Sequence, residues 1–508
     1  MTNGTYRYGF TERSLKSISF ATGAVVLLGW FFWQGRAAFD YALEEWLVFY
    51  VIALLSWQPL AAWLAAESRW MPAAELFFLL HIPYYVSPFV RGNEEFVQLE
   101  PGTRMKIGLI IMLFLLACRI CYRVPRGLGR TPLGREGSIL DRMITFEWRN
   151  QLSWCGLIAW CLFTVCIQRG WLPDFGTYLN LVRSLIWSAG TIGMFILYNE
   201  MGCGRLGQTS KAWLIAITAL TVFFQMATGF LIASAMQMSM VFLAIFLGTK
   251  KLPLVTMVAS TALFAFLHVG KAEMRDEFWD QRSNYSTVVH DPLDIFQFWI
   301  GASWNRLVAA GSMTNAENND AEIPNILERG NLLGFLSRIV SDTPESLPYM
   351  GGITYAQTAL IFVPRFLSPD KPRSSTPNET LAIYYGALTL DTAEYVGVGM
   401  GRIGEAWANF GWAGICVVGA IMGLFLQLPT RLSAGFSPLH VRFLLSVPFV
   451  AFAMALEECL GPAIHALSSG LALSFAFLWV ASLPTSAPAP DKIATPPWLR
   501  EPKEDANT

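Results

Sequence analysis

The sequence predicts an all-α polytopic membrane protein of about 12 transmembrane helices, with one large helical loop late in the chain. Three observations predict it. Apolar residues make up 54% of the 508 and charged residues only 14%, with a mean hydropathy of +0.42; a soluble domain carries about 25% charged residues. Apolar runs of about 20 residues recur along the chain, the length that crosses a hydrocarbon core of ~30 Å. Polar mass is lopsided, because the stretch 271–403 is the one long run of the carboxy-terminal half that cannot be membrane.

Taken in order, the apolar windows fall at 17–34, 46–66, 73–90, 105–122, 151–169, 180–199, 212–228, 231–249 and 253–270, then 405–427, 441–460 and 464–484. The windows at 212–228 and 231–249 are one continuous apolar stretch, split near Thr228 and Gly229 where a tight turn fits. This divides the chain into amino-terminal helices over 1–270 (about nine spans), a loop over 271–403, carboxy-terminal helices over 404–485 (about three spans) and a proline-rich tail over 486–508, expected to be disordered.

Basic loops stay on the cytoplasmic side. The loop holding Arg119, Arg123, Arg126, Arg130, Arg135, Arg142 and Arg149 is therefore placed inside, and both termini with it. The 271–403 loop then lies outside, which in a bacterial cell is the periplasmic face of the inner membrane. No cleavable signal is expected: the apolar run Ile18–Trp33 is too long for a signal core and lacks an A-x-A exit.

Several functions are disfavoured on composition. A net charge of −1 gives no basic excess for nucleic acid. The eight cysteines lie in or beside apolar runs, which argues against a disulfide framework or zinc site; Cys118 and Cys121 have C-x-x-C spacing but no second pair. No D-x-D cluster offers a metal for a nucleotide sugar, so neither metal nor cofactor is expected. The spans hold few ionisable residues: Glu75, His81, Glu200, Glu457 and Glu458 all sit near span ends, unlike the midplane charges of carriers.

The candidate site residues lie in the late loop and the helix after it. Lys271, Arg275 and Arg282 share one helical face that suits an anionic headgroup or lipid-linked phosphate, or else an interfacial helix paired with Glu273, Asp276, Glu277 and Asp280. Two amphipathic patterns follow, DPLDIFQFWIGASWNRLVAAGSM and IPNILERGNLLGFLSRIVSDTP, expected on the membrane surface or as a lid. The run Ala356–Val363 is too short to span and stops at Pro364, so Arg365, Lys371 and Arg373 gather where a re-entrant helix meets water. Arg365 suits a diphosphate because a guanidinium forks onto two oxygens; Lys371 and Arg373 also fit ordinary surface charge. Arg402 stands just outside the last group of spans. Glu405 and Asn409 follow it four residues apart on one helix face, where Glu405 serves as a general base or anchors the helix. Gly399, Gly401, Gly404, Gly411, Gly414, Gly419 and Gly423 permit close helix contacts.

The phrase VPRFLSPDKP, then GRIGEAWANFGWAG leading into a glycine-rich span, resembles the Wzy-type polymerases of bacterial O-antigen and exopolysaccharide repeat units, relatives of the O-antigen ligases. The resemblance rests on residues 350–425; the first half agrees only in hydropathy. It implies a GT-C-like helical fold and a metal-independent, inverting transfer at the periplasmic face. The donor and acceptor would be undecaprenyl-diphosphate-linked oligosaccharides, with membrane lipids and a chain-length regulator as further partners. By the resemblance Arg365 neutralises the leaving diphosphate, helped by Arg402 and by Arg275 or Arg282, and Glu405 takes the acceptor's proton. The critical His expected of a ligase has no clear counterpart in His268 or His290. A ligase-type glycan transferase and a lipid-linked glycan transporter are the alternatives.

Overall fold

The computed structural model describes residues 12–34, 41–66, 70–122, 149–172, 177–229, 231–278, 291–312, 331–363, 367–368, 370–393 and 397–481. The tail at 486–508, most of the arginine-rich loop, Arg282, His290 and Arg365 lie outside these residues.

The described chain is all-helical, with no strand among the described residues. The amino-terminal helices are α1 (Glu12–Gln34), α2 (Leu43–Leu64), α3 (Ala73–Leu79), a π-helical turn (Ile82–Val86), α4 (Ser87–Val90), α5 (Glu94–Val97) and α6 (Pro101–Cys121). They are followed by α7 (Arg149–Gln168), α8 (Thr177–Gly202), α9 (Gln208–Met226), α10 (Leu231–Thr249) and α11 (Leu254–Val269). The late loop holds α12 (Lys271–Phe278), α13 (Pro292–Ser312), α14 (Leu332–Asp342), α15 (Ile353–Ile361), α16 (Thr376–Tyr384) and α17 (Leu390–Ala393). The chain ends in α18 (Arg402–Ser433), α19 (Val441–Leu444), α20 (Pro448–Met454) and α21 (Leu460–Ala481).

Among the described residues seven helices are long and apolar enough to cross a membrane: α2, the composite 73–90, α7, α9, α10, α18 and α21. An eighth is added if α11 and α12, bent by 56° at Gly270, form one span. The protein is thus a multi-pass membrane protein. The windows at 17–34 and 441–460 hold shorter apolar helices, Ser19–Trp33 and Val441–Met454. Between α9 and α10 the chain turns at Gly229, whose φ of +74° a side chain would resist.

Close helix contact is set by small residues, since lipid is as apolar as leucine and only tight packing distinguishes a neighbouring helix from it. α18 lies along α6. A Cβ on Gly419 would stand 2.8 Å from the Phe114 carbonyl oxygen, and one on Gly423 only 2.1 Å from that of Cys118. α7 and α8 meet in the same way through Gly156 and Gly193, and α8 and α10 through Gly202 and Gly248. Cys118 is a small buried residue of this packing, and all eight cysteines are free.

The two amphipathic patterns of the late loop have different fates. α14, capped by the Asn331 side chain, buries Leu332, Leu333, Leu336, Ile339 and Val340 in the main core against α5, α6 and α18. It is a core element, not a surface helix. α13 instead packs on α11 and α12 in a separate small cluster built on Leu267, Met274, Ile295 and Trp299.

Candidate functional site

α20 and α21 fold back on each other, with Pro448 beside Gly470, and residues 455–459 form the turn between them. Where one helix ends and the next begins, carbonyls and then amides are left without helical partners, and such a turn needs protein or water to satisfy it. Here α18 supplies both partners. Arg402, its first residue, donates Nη2 to the carbonyl oxygens of Phe452 and Ala455, each at 2.9 Å, at the carboxy-terminal end of α20. Its guanidinium carbon lies 4.2 Å from the centre of the Phe452 ring. Three residues on, Glu405 Oε2 accepts from the Leu460 amide at 2.7 Å, at the amino-terminal end of α21. A cation at the carboxy-terminal end of one helix and an anion at the amino-terminal end of the next complement both dipoles.

The remaining contacts pin the same break. The amide of Gly401, which has a φ of +77°, donates to the Glu457 carbonyl at 2.9 Å. A Cβ on Gly399 would fall 2.4 Å from that same oxygen, so glycine alone lets the segment before α18 approach. Asn378 of α16 accepts from the Cys459 amide at 2.7 Å, and Tyr84 of the π-helical turn donates to Glu457 Oε1 at 2.8 Å. Four elements therefore converge on five residues.

Asn409 is four residues from Glu405 on one face, and its Nδ2 donates to the Glu405 carbonyl and the Thr354 hydroxyl while Oδ1 accepts from Gly352. Its hydrogen bonds are used within the protein. Beyond it Gly411, at φ +57° and ψ −137°, breaks α18 into a short helix that carries the site and a long one that packs on α6.

What is left uncommitted is the chemically interesting part. Arg402 is buried, yet Nε and Nη1 have no hydrogen-bond partner, and Glu405, fully buried, has none at Oε1. Buried polar atoms are nearly always satisfied, and orphaned ones mark strain, a functional role or a missing partner. Two N–H directions on a guanidinium suit paired phosphate oxygens. Glu458, in the break itself and half-buried, has a carboxyl pushed above the usual carboxylate range by burial, with Arg402 pulling the other way and Glu457 adding to the rise.

The structure brings together Arg402, Glu405 and Asn409 and places the other described site residues, Lys371, Arg373 and Arg275, in different contacts. Lys371 Nζ donates to the Ile361 carbonyl at 2.7 Å and so caps α15. Arg373 is exposed. Arg275 lies on α12, with Nη2 3.2 Å from the Gly229 carbonyl, in the α11–α13 cluster. Arg282 and Arg365 fall outside the described residues. Tyr84, Asn378 and the Glu457–Glu458 pair are site residues that sequence patterning did not assemble. The signal for the pair was present, as two adjacent acids just before Gly461-Pro462 inside an apolar window mark a break.

No protein-family model, curated protein or solved structure matches the chain.

Proposed function

We propose that the protein is a membrane glycosyltransferase that polymerises undecaprenyl-diphosphate-linked oligosaccharide repeat units into O-antigen or exopolysaccharide at the periplasmic face of the bacterial inner membrane. The observation that carries this is the burial of an arginine and a glutamate at the helix break, where Arg402 has two uncommitted nitrogens and Glu405 one uncommitted oxygen. The chain would be a GT-C-like protein of about 12 spans, counting the shorter and broken apolar helices with the long ones. Both termini would lie in the cytoplasm.

In the reaction, the acceptor sugar's hydroxyl oxygen attacks the anomeric carbon of the donor, and the bond from that carbon to the diphosphate breaks with inversion. The diphosphate leaves with the electron pair, its charge held by Arg402 and by Arg365 from the preceding loop. Fixed cations in a water-poor site stabilise such developing charge without reorganisation. Glu405 Oε1 takes the hydroxyl proton. Neither cofactor nor metal takes part, and a chain-length regulator is the natural protein partner.

Glu405→Gln tests this with little structural penalty, because the amide oxygen can still accept from Leu460. In a deletion strain complemented with Glu405→Gln, inserted at the wild-type amount, polymer formation should fall about 100-fold or more, the usual contribution of a general base. Arg365→Ala should leave single lipid-linked units. Normal polymer length in both variants sinks the mechanism.

A further inference from the structure

Away from the helix break, α12 and α13 enclose an open groove of about 760 Å³, within the range of small-ligand sites. Its lining comes from one stripe of α13, with residues recurring at three and four: Asp294, Gln297, Phe298, Gly301, Asn305 and Arg306. Glu273 of α12 pairs with Arg306 and holds the two walls together.

Gly301 is the telling residue. A glycine inside a helix costs about 0.5–1 kcal/mol relative to alanine, and most of the described helix glycines have a neighbouring backbone or side-chain atom that a Cβ would strike, Gly29, Gly102 and Gly301 excepted. Gly301 has none, since a Cβ there would meet nothing within 4 Å. It lies on the groove floor beside Ala302, and none of the described residues fills the space it leaves. Asp294, Gln297 and Asn305 around it are exposed and make no hydrogen bond to the described residues. Phe298 offers a ring held edge-on by Phe278 at 5.5 Å between centroids.

The lining chemistry narrows the occupant. Planar amides and a carboxylate around an aromatic face match sugar hydroxyls and the C–H face of a pyranose ring. With Arg306 neutralised by Glu273, Asp294 leaves the groove net negative, which disfavours a phosphate. Next to the groove α13 exposes Leu293, Ile300, Trp304 and Val308. Such a stripe lies against lipid, with the tryptophan at the interface. A polar groove beside a lipid-facing stripe suits a saccharide carried on a membrane anchor.

The geometry points to a subsite for the uncharged glycan portion of the lipid-linked substrate, with Gly301 and Ala302 as its floor and Phe298 as its stacking face; this assignment of the ligand rests on the proposed function. The test uses the full chain in nanodiscs. The probe is the oligosaccharide released by mild acid from the producing strain's undecaprenyl-diphosphate pool and labelled with a fluorophore. Inorganic diphosphate is the second probe. Gly301→Trp, which fills open space, should weaken glycan binding at least about tenfold, and Asn305→Ala and Gly301→Ala about threefold each; diphosphate binding should be the same in all. Wild-type glycan affinity in Gly301→Trp, or no glycan binding by the wild type, overturns the subsite. Glycan binding abolished by Arg402→Met while Gly301→Trp is silent also overturns it, by moving the site to the helix break. If the groove binds the glycan but a deletion strain makes normal polymer, the polymerase reading falls and the subsite stands.

Discussion

The helix break at residues 455–459 and the α12–α13 groove are both polar places in an apolar protein, and they are built in opposite ways. At the break the polar side chains are tied chiefly to backbone: Arg402 through Nη2 to two carbonyls, Glu405 to an amide, Asn378 to another, and Asn409 to a carbonyl, an amide and the Thr354 hydroxyl. In the groove Asp294, Gln297 and Asn305 are exposed and make no hydrogen bonds to the described residues. The difference teaches that buried charge in this protein first serves the fold, with two nitrogens and one oxygen left over for chemistry, whereas the groove serves the fold only through its Glu273–Arg306 pair. Substitutions at the break should therefore unsettle the protein as well as its activity, and substitutions in the groove should leave the fold alone.

The largest effect is expected from Arg402→Met. It strips the last carbonyls of α20 of their donor and leaves the Glu405 charge in the site without its nearby cation. Removing one partner from a buried charged arrangement costs about 3–5 kcal/mol, so the variant should be poorly retained as monodisperse protein in detergent, with a much lower melting midpoint. A midpoint equal to that of the wild type would mean that the break does not depend on its arginine.

Gly423→Leu tests the packing that carries the site. With the Cys118 carbonyl 2.1 Å from where its Cβ would be, α6 and α18 must separate. Overpacking of this kind costs about 1–3 kcal/mol, again read as a lower midpoint. Because the clash lies far along α18 from Arg402, glycan binding in the groove should persist in whatever protein remains folded.

The contrast between the two regions also marks how far the sequence could be followed. The membrane class, the helical windows and the turn at Gly229 were legible because they depend on local composition and period. The glycines of α18 announced close contact, but not that α6 is the partner, since pairing is a property of the whole chain. Arg402, Glu405 and Asn409 were legible as a constellation from spacing alone. What they do was not, because their partners lie near residues 352–354 and 452–460 and only folding reveals them. α13 and α14 carry similar amphipathic patterns, yet α14 became core. Periodicity fixes which face is apolar and leaves open whether protein or lipid covers it.

Asn378→Ala should be milder than the charge changes. It removes the single side-chain acceptor of the Cys459 amide and leaves Glu405 on Leu460. A lost cap of this sort costs about 1 kcal/mol, a small drop in midpoint. If the drop equalled that of Arg402→Met, the break would hang on α16 and not on α18.

The smallest effect is expected at Gly301, and its sign decides the comparison. Alanine fits the helical backbone and open space at that position, so Gly301→Ala should stabilise the protein by about 0.4–1 kcal/mol by narrowing the unfolded ensemble. A slightly higher melting midpoint means that the groove floor is kept bare against the interest of stability, as a surface that receives something must be. A lower midpoint would mean that the glycine has a structural reason after all, and the two polar places would differ less than their hydrogen bonds indicate.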